Sequence, residues 1–128
     1  MLCIVKKTFR IARKTGNALI TQLKGNQATL LQDCQDVARF TAPEKSYCEP
    51  VEKARNRIES RKVEVYTDLS MVTNSEWKKL LACLIVVHRY REEFDTKTKQ
   101  WKDQSGTSYY VSDRIFSAKK ACELIRQH

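Results

Sequence analysis

The chain has 128 residues, 41% hydrophobic and 30% charged, enough for one domain with a single modest core and too apolar for a disordered tail. Three Gly and two Pro argue against a collagen-like, linker-like or turn-rich all-β chain, and the longest apolar run, Leu80 to Val87, falls far short of a bilayer span. Against 15 Asp and Glu stand 24 Lys and Arg, a net charge of +9.

That charge is unevenly placed. Lys6, Lys7, Arg10, Arg13, Lys14 and Lys24 all precede the first acid, Asp33. Such asymmetry points to an anionic partner, whether nucleic acid, a membrane surface or an acidic protein; a merely solvated basic face is the plainer reading. The Met-Leu-Cys-Ile-Val start puts apolar residues ahead of the charges, the wrong order for a secretory signal. It has the basic, acid-poor character of an organelle presequence, but no Ser precedes Ser46.

In chain order, Val5, Phe9, Ala12, Gly16, Leu19 and Leu23 recur at helical spacing with cations on the complementary face, predicting an amphipathic basic helix over 5–23. Gly25-Asn26 breaks it. A second helix over 28–40 carries Leu30, Leu31, Cys34, Val37 and Ala38 and ends at Thr41-Ala42-Pro43. Ser46 to Glu49 reads as a capping box, followed by a charged helix with a stripe of Val51, Ala54 and Ile58. Around Val63, Val65 and Tyr66 the spacing also suits a short strand. Thr73-Asn74-Ser75-Glu76 is a better capping box, ahead of the stripe Trp77, Leu80, Leu81 and Leu84.

From Leu84 to Tyr90 the β-branched and aromatic content predicts a strand, with Thr107 to Val111 returning beside it across a polar loop, Asp95 to Gly106. The competing reading continues the helix from Glu76 through Glu93. A last helix begins near Asp113, capped by Ser112 or Asp113, with Ile115, Ala118, Cys122 and Ile125 inward. The chain is read as one domain, a basic helical part (1–40) joined to 46–128.

Cys3, Cys34, Cys48, Cys83 and Cys122 are odd in number and irregularly spaced, without a C-x-x-C pair or a second histidine near His88. Neither a zinc site nor a disulfide framework is expected. Reduced thiols imply an intracellular, cytoplasmic protein, with Cys34, Cys83 and Cys122 as small core residues. No nucleophile elbow, phosphate loop or H-E-x-x-H occurs, and His88 has no companion base or orienter. No enzyme activity, catalytic residue, metal or cofactor is assigned.

The order from Thr67 to Val111 carries more. A short segment, Tyr66 to Ser70, leads through Met71-Val72-Thr73-Asn74 into the helix Ser75 to Cys83. Leu84-Ile85-Val86-Val87 then opens a ribbon with a cationic tip. This order resembles the winged helix-turn-helix domains of bacterial and phage regulators and replication proteins. It departs from them in having Ala82-Cys83 where a glycine is usual and in the length of the wing.

The resemblance implies a recognition helix presenting Thr73, Asn74, Ser75, Lys78 and Lys79 to base edges. It also implies a wing whose Arg89, Arg91, Lys97, Lys99 and Lys102 neutralise phosphates. Trp77 is then core, and Trp101 is either an exposed aromatic contact or a cover for the ribbon. Lys6, Lys7, Arg10, Arg13 and Lys14 would form an arm along the phosphate backbone. Alternatively, the apolar side of that helix would pair with a second copy in a homodimer, and membrane binding ranks last.

The expected fold is mainly α (α+β), with helices and a C-terminal two-stranded β-ribbon, winged-helix-like. The expected function is a DNA-binding regulatory or replication-accessory protein acting on duplex DNA. The alternative is an all-α bundle serving as an interaction module (an inhibitor, chaperone or immunity-type partner) for an acidic protein.

Overall fold

The structure is a computed structural model, and it describes residues 20–23 and 28–126. Its centre is an antiparallel six-stranded sheet. In chain order the elements are β1 (Ile20–Gln22), α1 (Ala28–Phe40), β2 (Lys45–Cys48), β3 (Glu52–Ala54), β4 (Arg57–Tyr66), α2 (Ser75–Leu80), β5 (Cys83–Asp95), β6 (Gln100–Ser112) and α3 (Ala118–Arg126). The strands lie in the order β1-β6-β5-β4-β2, and β3 pairs with the same edge of β4 further along.

The apolar residues explain why β5 is a strand and why it is central. Leu84, Ile85, Val86 and Val87 are successive and all essentially inaccessible, so both faces of the strand are covered. Burying each contributes about 1.5–3 kcal/mol. By alternation, Leu84 and Val86 meet Tyr66, Val111 and the buried sides of α1 and α2 (Leu30, Cys34, Val37, Trp77, Leu80). Cys83, Ile85 and Val87 meet Val63, Val65 and the inner side of α3 (Ala118, Ala121, Cys122, Ile125). The sheet is thus sandwiched between helices at one end and bare at the other.

The winged-helix-like, mainly helical architecture is overturned, and so is the all-α alternative. The β5–β6 ribbon is not an appendage of a helical domain but the middle of a sheet. The helix proposed to run from Glu76 to Glu93 stops at Leu80, because Leu81 turns extended and the Ala82 N–H donates to the Ser112 carbonyl at 2.8 Å. The helix placed after Ser46 is absent: Ser46 lies in β2, and Ala54 and Ile58 face each other's neighbours across the β3–β4 turn. The segment 20–22 is strand rather than the end of a basic helix. The rest of that predicted helix lies outside the described residues, as does the homodimer contact assigned to it.

Other local readings match the structure. α1 has the predicted bounds, with Leu30, Cys34 and Val37 inward, and Thr41 closes it through its N–H and hydroxyl, both donating to the Val37 carbonyl at 3.0 and 2.6 Å. Asn74, not Thr73, caps α2, its Oδ1 accepting from the Glu76 and Trp77 N–H groups at 2.9 and 3.2 Å. Thr73 instead donates its N–H and hydroxyl to the buried Asp33 carboxylate at 3.1 and 2.8 Å, tying α2 to α1. In the last helix Ala118, Cys122 and Ile125 are inward, but Ile115 precedes the helix and is exposed.

Cys34 and Cys83 are buried free thiols, and Cys48 is an exposed one. Burial pushes the Cys34 thiol up to about 12 and the Cys83 thiol to about 11, so neither forms thiolate near neutrality. Alkylation of the native protein at mildly alkaline pH should therefore label Cys48 and spare Cys34 and Cys83, as read by peptide mass. Prompt labelling of all three would contradict the packing of both layers.

Candidate anion-binding face of the sheet

Beyond the last apolar row, Val63 opposite Val87, the face that carries α3 becomes basic without any break in strand pairing. Arg61 lies directly opposite Arg89, Glu59 opposite Arg91, and Arg57 opposite Glu93. On β6 the same rows bring Gly106, Gln104 and Lys102. All of these side chains share one face because the register is unbroken and the period is two.

Partners separate the cations into two groups. Glu59 holds Arg57 at 3.4 Å and Arg91 at 3.6 Å, Glu93 holds Arg91 at 3.4 Å, and Asp95 holds Lys102 at 3.0 Å. Among the described residues, Arg89 reaches only hydroxyls, Ser108 at 3.5 Å and Tyr110 at 3.2 Å. Among the described residues, the Arg61 guanidinium has no ion pair or hydrogen-bond partner. The two guanidinium groups without a carboxylate therefore sit side by side on adjacent strands, an arrangement that repels.

A groove of about 370 Å³ opens over this site, lined by Arg61, Arg89 and Arg91 and by Glu49, Glu52 and Glu59. The carboxylates are engaged: Glu59 by the arginines, Glu49 by the Cys122 thiol at 2.6 Å, and Glu52 by a partner of its own. The Arg91 Nε is buried without a hydrogen-bond partner. The three arginines and three glutamates of the lining balance in charge, so what the groove offers an anion is the N–H donors of Arg61 and Arg89, which no carboxylate engages among the described residues.

The hairpin carries that charge outward. Its four-residue turn, Thr96 to Lys99, is built on Asp95, whose Oδ1 accepts the Lys97 N–H at 2.9 Å and whose carbonyl accepts the Lys99 N–H at 2.7 Å. Lys99 adopts a φ of 57°, in the left-handed region. Lys97 and Lys99 are exposed and, among the described residues, their ammonium groups have no carboxylate partner. Six residues of strand separate Arg89 from Asp95, about 20 Å at ~3.3 Å per residue.

The sequence-derived site residues divide accordingly. Arg89, Arg91, Lys97, Lys99 and Lys102 share one hairpin. Thr73, Asn74, Ser75, Lys78 and Lys79 belong to the α1–α2 layer, on the opposite face of the sheet from the arginines. Asn74 caps α2, Thr73 binds Asp33 and Lys79 has a partner of its own, while Ser75 and Lys78 are exposed on that layer. Helix and hairpin therefore do not converge on one surface. Lys6, Lys7, Arg10, Arg13 and Lys14 lie outside the described residues.

Sequence reading missed Arg61. Reading 57–66 as a strand would have placed Arg57, Glu59, Arg61, Val63 and Val65 on one face and exposed it.

The opposite face offers no comparable surplus. His88 is held between the Glu64 carboxylate at 2.5 Å and the Thr107 hydroxyl at 3.3 Å, while the Cys83 thiol lies on the other side of the sheet and donates to the Arg114 carbonyl. The two residues cannot meet as a nucleophile and base. Among the described residues, no group of three or more His, Cys, Asp or Glu side chains is placed to hold a metal, and no helix is long and apolar enough to cross a membrane.

Two outcomes follow. Replacing Arg61 with Gln should raise stability at low ionic strength by about 0.2–1 kcal/mol, because it removes a directly opposed like charge, and added salt should erase the gain. Paired denaturant titrations of both proteins check this. Bonds from Lys102 and from the Lys97 and Thr98 N–H groups hold the Asp95 carboxyl below its ordinary value of 3.8. A lowered carboxyl stabilises fully above that value and is lost as the pH falls through the lowered one. The Lys97 and Lys99 amide resonances should thus shift with a midpoint below pH 3.8, while Asp95→Asn shifts them at neutral pH.

No protein-family model, no curated protein and no solved structure matches this chain.

Proposed function

We propose that the protein binds nucleic acid through the arginine-bearing face and tip of the β5–β6 hairpin, by contacts to the phosphate backbone. One observation carries this reading: the guanidinium groups of Arg61 and Arg89 stand opposed on a rigid sheet with no carboxylate partner among the described residues. An unrelieved repulsion inside an ordered sheet is a standing destabilisation, and a bound anion converts it into attraction.

The form of the site favours a polyanion over a small anion. The groove is open, and the cations without a carboxylate stand at two ends of about 20 Å of hairpin, Arg61 and Arg89 at one and Lys97 and Lys99 at the other, with paired charges between them. A single carboxylate or phosphate can satisfy only one end. A phosphodiester backbone satisfies both, and the net charge of +9 adds long-range attraction. Contacts of this kind position the nucleic acid and do not read its sequence. The capped, tied residues at the start of α2 add no base-reading groups to this face.

Fluorescence anisotropy with a labelled duplex across a salt series tests the reading. Affinity should fall steeply as salt rises, and Arg61→Gln with Arg89→Gln should flatten the log–log slope by about 1.8, some 0.9 for each phosphate no longer neutralised. Binding that ignores salt, or a double variant that binds like the parent, would sink the assignment. Retention on an acidic polypeptide with no binding to nucleic acid would give the surface to a protein partner instead.

A further inference from the structure

We propose that Trp101 at the hairpin tip is a stacking platform for one unpaired nucleobase, so that a single strand is the preferred form of the ligand; this rests on the nucleic-acid reading above. Trp101 is 51% exposed in the polar outer part of β6, on the face opposite Arg89. Its position is fixed. Phe94 lies directly across the ladder, with ring centroids 5.4 Å apart and planes tilted by 55°.

Phe94 in turn is anchored through its backbone, its N–H donating to the Asn56 carbonyl in the β3–β4 turn at 2.8 Å. The indole is therefore held before any ligand arrives, and stacking on it forfeits little side-chain freedom. A half-exposed indole set against a second, tilted ring leaves aromatic surface on which a base can stack without sequence preference. Lys99 and Lys97, two and four residues away in the turn, supply cations for the flanking phosphates.

The neighbouring rows limit the platform to a single base. Glu92 and Asp103 face each other one pair inward on the same side, and the next aromatic, Tyr90, is hydrogen-bonded to Glu92. A strand cannot run its phosphates over that carboxylate row. Its path leads instead from the stacked base over the tip lysines to Arg89 and Arg61 on the other face, where the intervening Asp95, Glu93 and Glu59 are each paired with a cation. A closed duplex keeps its base faces internally stacked and has nothing to offer Trp101.

Intrinsic fluorescence isolates the contact, because Trp77 is only 1% exposed and Trp101 is the accessible indole among the described residues. Oligodeoxythymidylate should quench the emission and bind more tightly than a blunt duplex carrying equal charge. Trp101→Ala should weaken oligodeoxythymidylate by about fivefold or more and leave duplex affinity unchanged. Trp101→Leu keeps an apolar cover on Phe94 but lacks the aromatic face, so it should behave like the Ala variant if stacking is the cause. Arg89→Gln should weaken both forms. Equal affinity for the two forms, with neither Trp101 variant having an effect, overturns the stacking site and leaves the arginine face standing. Failure to bind either form overturns both.

Discussion

Everything in this molecule depends on an unbroken register across β4, β5 and β6. Each residue of β4 and its partner on β5 keep a constant offset from Arg57 opposite Glu93 to Tyr66 opposite Leu84, and β5 does the same with β6 along its whole length. With no bulge, the side-chain alternation set at the buried end propagates to the charged end. Because Ile85 and Val87 must face α3, Arg89 and Arg91 must follow them onto that side. A slip of one residue would turn Leu84 and Val86 out of their layer and move the arginines to the face of Glu64 and Glu92. Apolar packing at one end of the strands thus orients the electrostatics at the other.

That division explains how the sheet tolerates a like-charged pair. Arg61 and Arg89 are each two residues from a valine that is fully buried, Val63 and Val87. Repulsion between two partly solvated guanidinium groups is a matter of tenths of a kilocalorie to about one, whereas the adjacent valines contribute about 1.5–3 kcal/mol apiece. The buried end holds the charged end in place, and no helix is needed over the arginines. Covering them would desolvate them and remove the groove.

The sequence made part of this legible. Leu84 to Val87 announced a strand because four β-branched or aliphatic residues in succession fit a strand covered on both faces, and the Trp77 stripe and the 28–40 helix showed their period plainly. The charged end was opaque for a definite reason. From Arg57 to Lys62, and again from Gln100 to Gly106, the strands are polar on both sides apart from the isolated Ile58 and Trp101, so no hydrophobic alternation marks them; only their partners across the sheet make them strands. Val51, Ala54 and Ile58 happen to fall at helical spacing, and the Ser46 to Glu49 pattern mimics a capping box. Arg61 was missed with the strand that holds it. The cationic hairpin itself was visible from composition, although its pairing with α2 in a winged-helix arrangement was not sustained.

The layers also decide how a ligand can approach. A helix and a wing read one nucleic-acid surface only when both protrude on the same side. Here α2 is packed onto the face that continues toward His88, Tyr90 and Trp101, while the arginines occupy the face of α3. A rigid duplex pressed against Arg61 and Arg89 would meet neither α2 nor Trp101. A flexible strand can touch both faces by turning at the tip, where the sheet has narrowed to two strands and only β5 and β6 remain beyond the Arg57–Glu93 row. On the proposed nucleic-acid reading, the ligand's flexibility, rather than any groove geometry of a double helix, is the property that would let it use both the cations and the indole.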